Sequence, residues 1–345
     1  MRIVALPGPF GLLAFVLSLM AAAALTAGCA QRAEVHEKKA ARLEKARDDL
    51  FSLSFPSETE GWACGRHGII LHTSDGGQTW KPQSSGTDAT LSSICFTDLQ
   101  NGWAVGARGT ILHTHDGGLT WESQESPVES FHMRVVFLSS RKGFIASEHT
   151  HILATEDGGR NWTVRFRDED FILRSLSFGD PLHGWAVGEF GCIYSTADGG
   201  RRWEKQAGTY EIDSETGDLK GEGFLFDVVA IDRQTVWAVG IQGTVKQTAD
   251  GGRTWRNVDV GAGTAPLFCI AHDGSDTLMV AGKGICLLSS DRGKTWTRVH
   301  FAPSIRYGWV HHIARLGSTG LAAACGEGGS IYRKLPAGVW NGIAY

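Results

Sequence analysis

Six aspartates occupy one position of a recurring segment: Asp75 in TSDGGQTW, Asp116 in THDGGLTW, Asp157 in TEDGGRNW, Asp198 in TADGGRRW, Asp250 in TADGGRTW and Asp291 in SSDRGKTW. A carboxylate can act as an acid, a base or a metal ligand, but a reaction needs such a group once. At the head of a tight turn it has another use. It accepts hydrogen bonds from the amides that follow, while the glycines supply positive φ. The aromatic closing each segment, Trp80, Trp121, Trp162, Trp203, Trp255 or Trp296, then packs between sheets. The six acids are expected to be turn locks.

Other candidates for chemistry are sparse. His72 and His113 share a repeat position that is Ala154, Ser195 and Gln247 elsewhere, which makes them strand side chains and not a catalytic set. His149 with His151, and His311 with His312, lack a spacing-matched third ligand, and strand alternation aims His311 and His312 at opposite faces. Besides Cys29 there are six cysteines, with no C-x-x-C pair. Cys64 and Cys325 stand where other repeats have Val105, Val187 and Val239, so mostly free buried thiols are expected. No metal and no cofactor is expected. A glycosidase needs two opposed carboxylates; Asp168 or Asp170 with Glu189 can be named, but nothing selects them.

The elements that position these residues form a repeat. The six tryptophans are spaced 41, 41, 41, 52 and 41 residues apart, a period that marks a repeat architecture. Each unit holds a first apolar run (LSSICFTD, MRVVFLSS, LRSLSFGD, FDVVAIDR), a W-A-V-G run, an I-L-x-T run, the DGG turn and the Trp. Four short β-type runs make one propeller blade, because such a sheet must cover both faces with its neighbours. FSLSF ahead of Trp62 opens the first blade, and WVHHIARL to VWNGIAY form a degenerate seventh. The expected fold is all-β: a seven-bladed β-propeller of four-stranded antiparallel blades over 51–345, preceded by a short helical stalk.

The S/T-x-D-G-G-x-T-W pattern resembles the Asp box, also called the bacterial neuraminidase repeat. With the W-A-V-G strand ahead of it, the chain after about residue 50 is similar to the photosystem II stability/assembly factor family. That resemblance implies a binding protein that grips newly made membrane subunits through a basic surface. Asp boxes also occur in sialidases, xyloglucan-degrading glycosidases and sortilin-type receptors. A polysaccharide-binding or glycoside-cleaving surface protein, sialidase-like or xyloglucanase-like, is therefore the alternative. A sialidase would carry an Arg-Ile-Pro segment and six blades; this chain has no Arg-Ile-Pro.

At the start, Arg2 and an apolar stretch from Phe10 to Leu25 lead into Leu25-Thr26-Ala27-Gly28-Cys29, a small-residue cleavage pattern. It resembles a lipobox, which implies a signal peptide over 1–28 and a lipidated Cys29. Residues 29–50 mix acids and bases at helical separations and read as the stalk. The expected protein is exported, lipid-anchored and monomeric, on the periplasmic side or the cell surface, and on the outer membrane in a host with two. Its net charge of −4 makes no case for nucleic acid. The expected partner is a membrane or envelope protein.

In a propeller the turns between second and third strands share one face, which would place Arg66, Arg108 and Glu189 at the channel mouth. Arg165 and Arg167, in a link between blades, fall with Arg174, Arg201 and Arg202 around blades three and four and are candidate partner contacts. An insertion within 209–223 and the run Asp168-Glu169-Asp170 form a candidate acidic patch.

Overall fold

The computed structural model describes residues 48–212, 214, 219–316, 320–335 and 338–343. The signal segment, Cys29 and the stalk up to residue 47 lie outside them. From Leu50 onward the described residues form seven antiparallel sheets in chain order. Blade 1 is typical: Leu50–Ser54, Gly61–Gly65, Ile70–Thr73 and Lys81–Gln83 pair in sequence order. The first strand of each blade packs on the first strand of the next, and that of blade 7, Val310–Arg315, packs on that of blade 1, so the seven-bladed ring is closed. The inserted segment forms a small hairpin of Tyr210–Ile212 with Leu219–Gly221 between blades 4 and 5.

The period survives because each blade needs its neighbour's aromatic. The second-strand Trp62 stacks on Phe96 of blade 2 with ring centroids 3.7 Å apart, and Phe96 meets the Asp-box Trp121 edge-on at 5.9 Å. The same triplet recurs one blade later as Trp103, Phe137 and Trp162, at 3.6 and 5.9 Å. In blades 1 and 2 the second-strand indole also donates to the next blade's turn, Trp62 Nε1 to Gly117 O at 3.2 Å and Trp103 Nε1 to Gly158 O at 3.3 Å. The W-A-V-G strand and the following repeat's DGG turn thus form one contact, and this ties the repeat length to the blade spacing.

The Asp boxes are turn locks. Asp75 Oδ1 accepts from the amides of Gln78 and Thr79 at 2.8 and 2.9 Å, and Oδ2 from the Thr79 hydroxyl at 2.6 Å. Thr73 Oγ1 accepts from the Gly77 amide at 2.9 Å, and Gly77 sits at φ 83°, where a side chain would be strained. All six cysteines among the described residues are free thiols, five buried and Cys95 partly so.

Closure rests on blade 7. The Leu53 amide donates to His312 Nδ1 at 3.1 Å, and the Gly328 amide donates to Asp49 Oδ1 at 2.8 Å. Outside, Phe301–Ala302 adds a parallel fifth strand to Trp340–Ile343, and the buried Trp340 lies 5.3 Å from Phe301. The link from blade 6 is thereby clamped to the last strand.

Two outcomes follow. Trp62→Ala removes a fully buried indole and its stack, and should cost about 3–5 kcal/mol in a urea titration; a loss under about 1 kcal/mol would mean that the aromatic triplets do not set blade spacing. The second concerns acid. Hydrogen bonds from Thr120, Thr254 and Thr295 hold Asp116, Asp250 and Asp291 at about 2, below their ordinary value. Folded-state values below the unfolded ones give stability that is complete above about pH 4 and drains away as pH falls toward 2. The melting temperature should drop across that window, and Asp116→Asn should shrink the drop; a flat profile would contradict the lock.

Candidate functional site: the channel mouth

Every inner strand carries the same irregularity. In each blade the second residue of the first strand is skipped in the pairing with the second strand: Phe51, Ser92, Met133, Arg174, Phe226, Phe268 and His311. A bulge re-aims the residue it leaves unpaired. Here all seven bulged side chains line one cavity of about 410 Å³ at the mouth, together with Arg66, Phe131 and Arg134 among others.

The cup has two unlike halves. Blades 5, 6, 7 and 1 contribute an aromatic arc, Phe226 to Phe268 at 5.3 Å, Phe268 to His311 at 5.6 Å and His311 to Phe51 at 5.0 Å. Burial lowers the pKa of His311 to about 4, so at neutral pH it joins the arc as an uncharged ring. A guanidinium lies over each end, Arg174 5.7 Å from the Phe226 centroid and Arg66 5.9 Å from that of Phe51. Blades 2, 3 and 4 contribute Ser92, Met133, Arg134, Arg174 and Ser175.

The residue after each bulge ties the blades together. Ser52 Oγ accepts from the Ile94 amide and Ser93 Oγ from the Val135 amide, both at 3.2 Å. Asp227 accepts from Ser175 Oγ at 2.6 Å and from the amides of Val228 and Ile270 at 3.0 Å, which occupies both of its oxygens. His312, kept neutral by burial, completes the ring to Leu53. Blade 3 breaks the series, because its residue is Arg134, which has only donors. Its Nε is buried without a partner, and among the described residues it forms no ion pair or hydrogen bond.

Among the described residues Arg174 likewise has no carboxylate partner, and its one hydrogen-bond contact is Nη1 to Met133 Sδ at 3.5 Å. Packing of the guanidinium against the cup wall draws its pKa down although the residue is exposed to the channel, opposed by Asp227, Glu148 and Glu189, and a guanidinium stays charged at any physiological pH. Two unmatched guanidinium groups beside an aromatic wall make the cup suited to an anionic group carried on an apolar body.

Of the candidate contacts named from sequence, the cup brings together Arg66 and Arg174. Arg66 is paired with Asp49 at 2.7 Å. Arg108 stands on the rim in an ion pair with Asp88. Glu189 is spent structurally, since its Oε2 accepts from the Ile172 amide at 2.8 Å. Arg165 lies in the outer strand Thr163–Phe166 and Arg167 directly after it, both exposed on the circumference. Arg201 and Arg202 sit in the Asp-box turn, their amides donating to Asp198 Oδ1, on the face opposite the mouth. The arginines near one another in sequence are therefore divided among three surfaces. The acids of the candidate patch are largely engaged: Asp168 with the Tyr194 hydroxyl, Glu169 with Lys205, Asp170 with His149 and Glu222 with Lys246. Asp213, Glu215 and Asp218 lie outside the described residues.

Sequence reasoning missed Arg134, Phe226, Phe268 and the whole bulge ring. A signal existed. In the aligned first strands the second position runs Phe, Ser, Met, Arg, Phe, Phe, His, while the fourth stays apolar, Leu53, Ile94, Val135, Leu176, Val228, Ile270 and Ile313.

Fold and turns define a seven-bladed Asp-box propeller with a cup at its axis. The profile described as photosynthesis system II assembly factor YCF48 matches residues 78–170 and 209–343, more than half of the chain. The chain belongs to that family. Solved structures similar to it include YCF48 bound to D1 peptide, at 20% identity and TM-score 0.67, covering 83% of this chain and 91% of that one. YCF48 from Cyanidioschyzon merolae is 21% identical with TM-score 0.67, covering 83% and 95%. The GH74 xyloglucanase from Xanthomonas campestris is 13% identical with TM-score 0.67, covering 86% of this chain and 55% of that enzyme. At such identities these likenesses speak to the fold alone. No curated protein sequence matches this chain.

Asp227→Ala leaves buried amides of two blades without an acceptor and should cost roughly 2–4 kcal/mol, read from the urea midpoint. Asp227→Asn, which keeps one oxygen, should cost less. Equal, negligible losses would show that this carboxylate does not join blades 4, 5 and 6.

Proposed function

We propose that this protein is an exported, lipid-anchored assembly factor that holds a segment of a membrane or envelope protein at the channel mouth. The observation that carries the reading is the cup, in which Arg134 and Arg174 lack carboxylate partners beside an aromatic arc. Membership of the YCF48 family supports it, as does the relative solved with a D1 peptide bound. The preferred segment pairs an acidic group with an apolar side chain, because the first neutralises the guanidiniums while the second displaces water from the rings. The anchor at Cys29 would keep the propeller at the membrane where such partners emerge. The glycoside-cleaving alternative has little to work with here: among the described residues the one carboxylate lining the cup is Asp227, and both its oxygens are occupied.

A benzophenone amino acid at Met133 in the full-length protein tests this in intact envelope. A discrete adduct with a membrane protein is expected. Arg134→Gln with Arg174→Gln should reduce it at least tenfold, and Arg201→Glu with Arg202→Glu, on the far face, should leave it unchanged. The opposite dependence would overturn the assignment of the surface. Cys29→Ser should move the protein into the soluble fraction; retention in the membrane would overturn the anchor.

A further inference from the structure

A second cavity, of about 540 Å³, opens on the other side of the disc between blades 2 and 3, away from the mouth. Comparison with the preceding repeat explains its chemistry. In blade 1 the His72 ring lies against Trp62, 4.8 Å between centroids, and its Nε2 is 2.7 Å from Glu60 Oε2. One repeat on, His113 lies against Trp103 in the same way at 4.6 Å. The residue 41 positions after Glu60 is Asn101, however, and His113 Nε2 is buried with no hydrogen-bond partner. Burial lowers the pKa of His113, and the neighbouring His115 lowers it further while Glu122 opposes, so the ring is neutral at pH 7.

The far wall of the cavity comes from blade 3 and carries Arg141, Arg160 and the Asp-box acid Asp157, which feels the charge of Arg160 but whose oxygens are taken up by Thr155 and Asn161 within the turn. Neither arginine forms an ion pair among the described residues; Arg141 Nε donates only to the Glu156 carbonyl, at 3.3 Å. The combination occurs at this one groove. The corresponding wall one blade earlier presents Gln100 and Leu119, and one blade later Leu182 and Arg201 facing Ala154 in place of histidine. Two guanidiniums on one side thus face an unpartnered imidazole nitrogen, the Glu122 carboxylate and the side-chain oxygen of Asn101, whose Nδ2 donates to Asp98, on the other.

We infer that this groove is a second binding site, separate from the mouth, and that it takes a polyhydroxylated carboxylic acid of the uronic acid class. Arg141 and Arg160 receive the carboxylate, for which the planar guanidinium fork is matched. Asn101, Glu122 and His113 Nε2 exchange hydrogen bonds with the hydroxyls, which supply both donors and acceptors. A lone anion such as phosphate would satisfy the arginines and leave His113 unpaired. A neutral sugar would do the reverse.

The test follows the His113 ring signals by NMR in the folded full chain, with sodium glucuronate, an oligogalacturonide, glucose and inorganic phosphate added separately. Glucuronate or the oligomer should shift those signals saturably, with a dissociation constant below about 10 mM, and glucose and phosphate should bind at least tenfold more weakly. Tighter binding of the oligomer would assign the site to a polymer, and equal binding to the free acid. Arg160→Gln should weaken glucuronate at least tenfold. Asn101→Glu copies blade 1, and should raise the His113 titration midpoint and abolish binding while the melting temperature is kept. His113→Phe, which preserves the stack, should also abolish binding, read on the His115 signal. No saturable shift with either acid, or equal shifts with phosphate, would overturn the proposal. The mouth variants Arg134→Gln and Arg174→Gln should leave this titration unchanged, so the two sites fail or stand separately.

Discussion

Each blade buries both faces of its sheet, so no blade is covered until the stack has closed on itself. That constraint governs the molecule. The stacked pairs Trp62 with Phe96 and Trp103 with Phe137 set the spacing from blade to blade, and the Leu53 amide on His312 Nδ1 joins the two ends of the chain. Closure in turn brings seven first strands around one axis, where a bulge repeated in each turns a single residue inward. The cup is a by-product of closing the ring, furnished by whatever side chain each repeat holds at the bulge.

This separates two kinds of position. Residues that repeat, the Asp-box acids and the second-strand tryptophans, are occupied with holding turns and neighbours. Residues that break the repeat are left with unspent chemistry. Arg134 replaces an acceptor that would have bonded the next blade, and so keeps a buried Nε without a partner. Asn101 replaces the acid that quiets His72 in blade 1, and so leaves His113 Nε2 open. Both departures lie in or beside blade 3, and both border a cavity. In a protein built of copies, the departures point to function more directly than the shared motif does.

The two faces then have different characters. At the mouth, cation and aromatic surface adjoin with little competing carboxylate, a setting for an apolar and acidic segment. On the Asp-box side the groove is mostly polar, with the Trp103 ring in its wall. Asp49 is the junction at the mouth, bonding Arg66 in blade 1 and the Gly328 amide in blade 7; the described chain therefore begins at the same rim where the cup opens.

Much of the fold was legible in the sequence. The 41-residue period, the DGG turns and the W-A-V-G strands determined blade number, strand order and the structural role of Asp75 and its five equivalents, because each follows from local turn geometry and repeated burial. The free thiols were legible for the same reason. The site was not. Arg165, Arg174 and Arg201 are near in sequence but face the circumference, the channel and the far rim, since successive strands of a blade run radially outward and successive turns alternate between faces. Phe51 and His311 are 260 residues apart in sequence and 5.0 Å apart in space. Local chemistry determined the blades; only closure of the ring decided which side chains meet, because that contact is made between the ends of the chain and by bulges whose direction depends on the neighbouring strand.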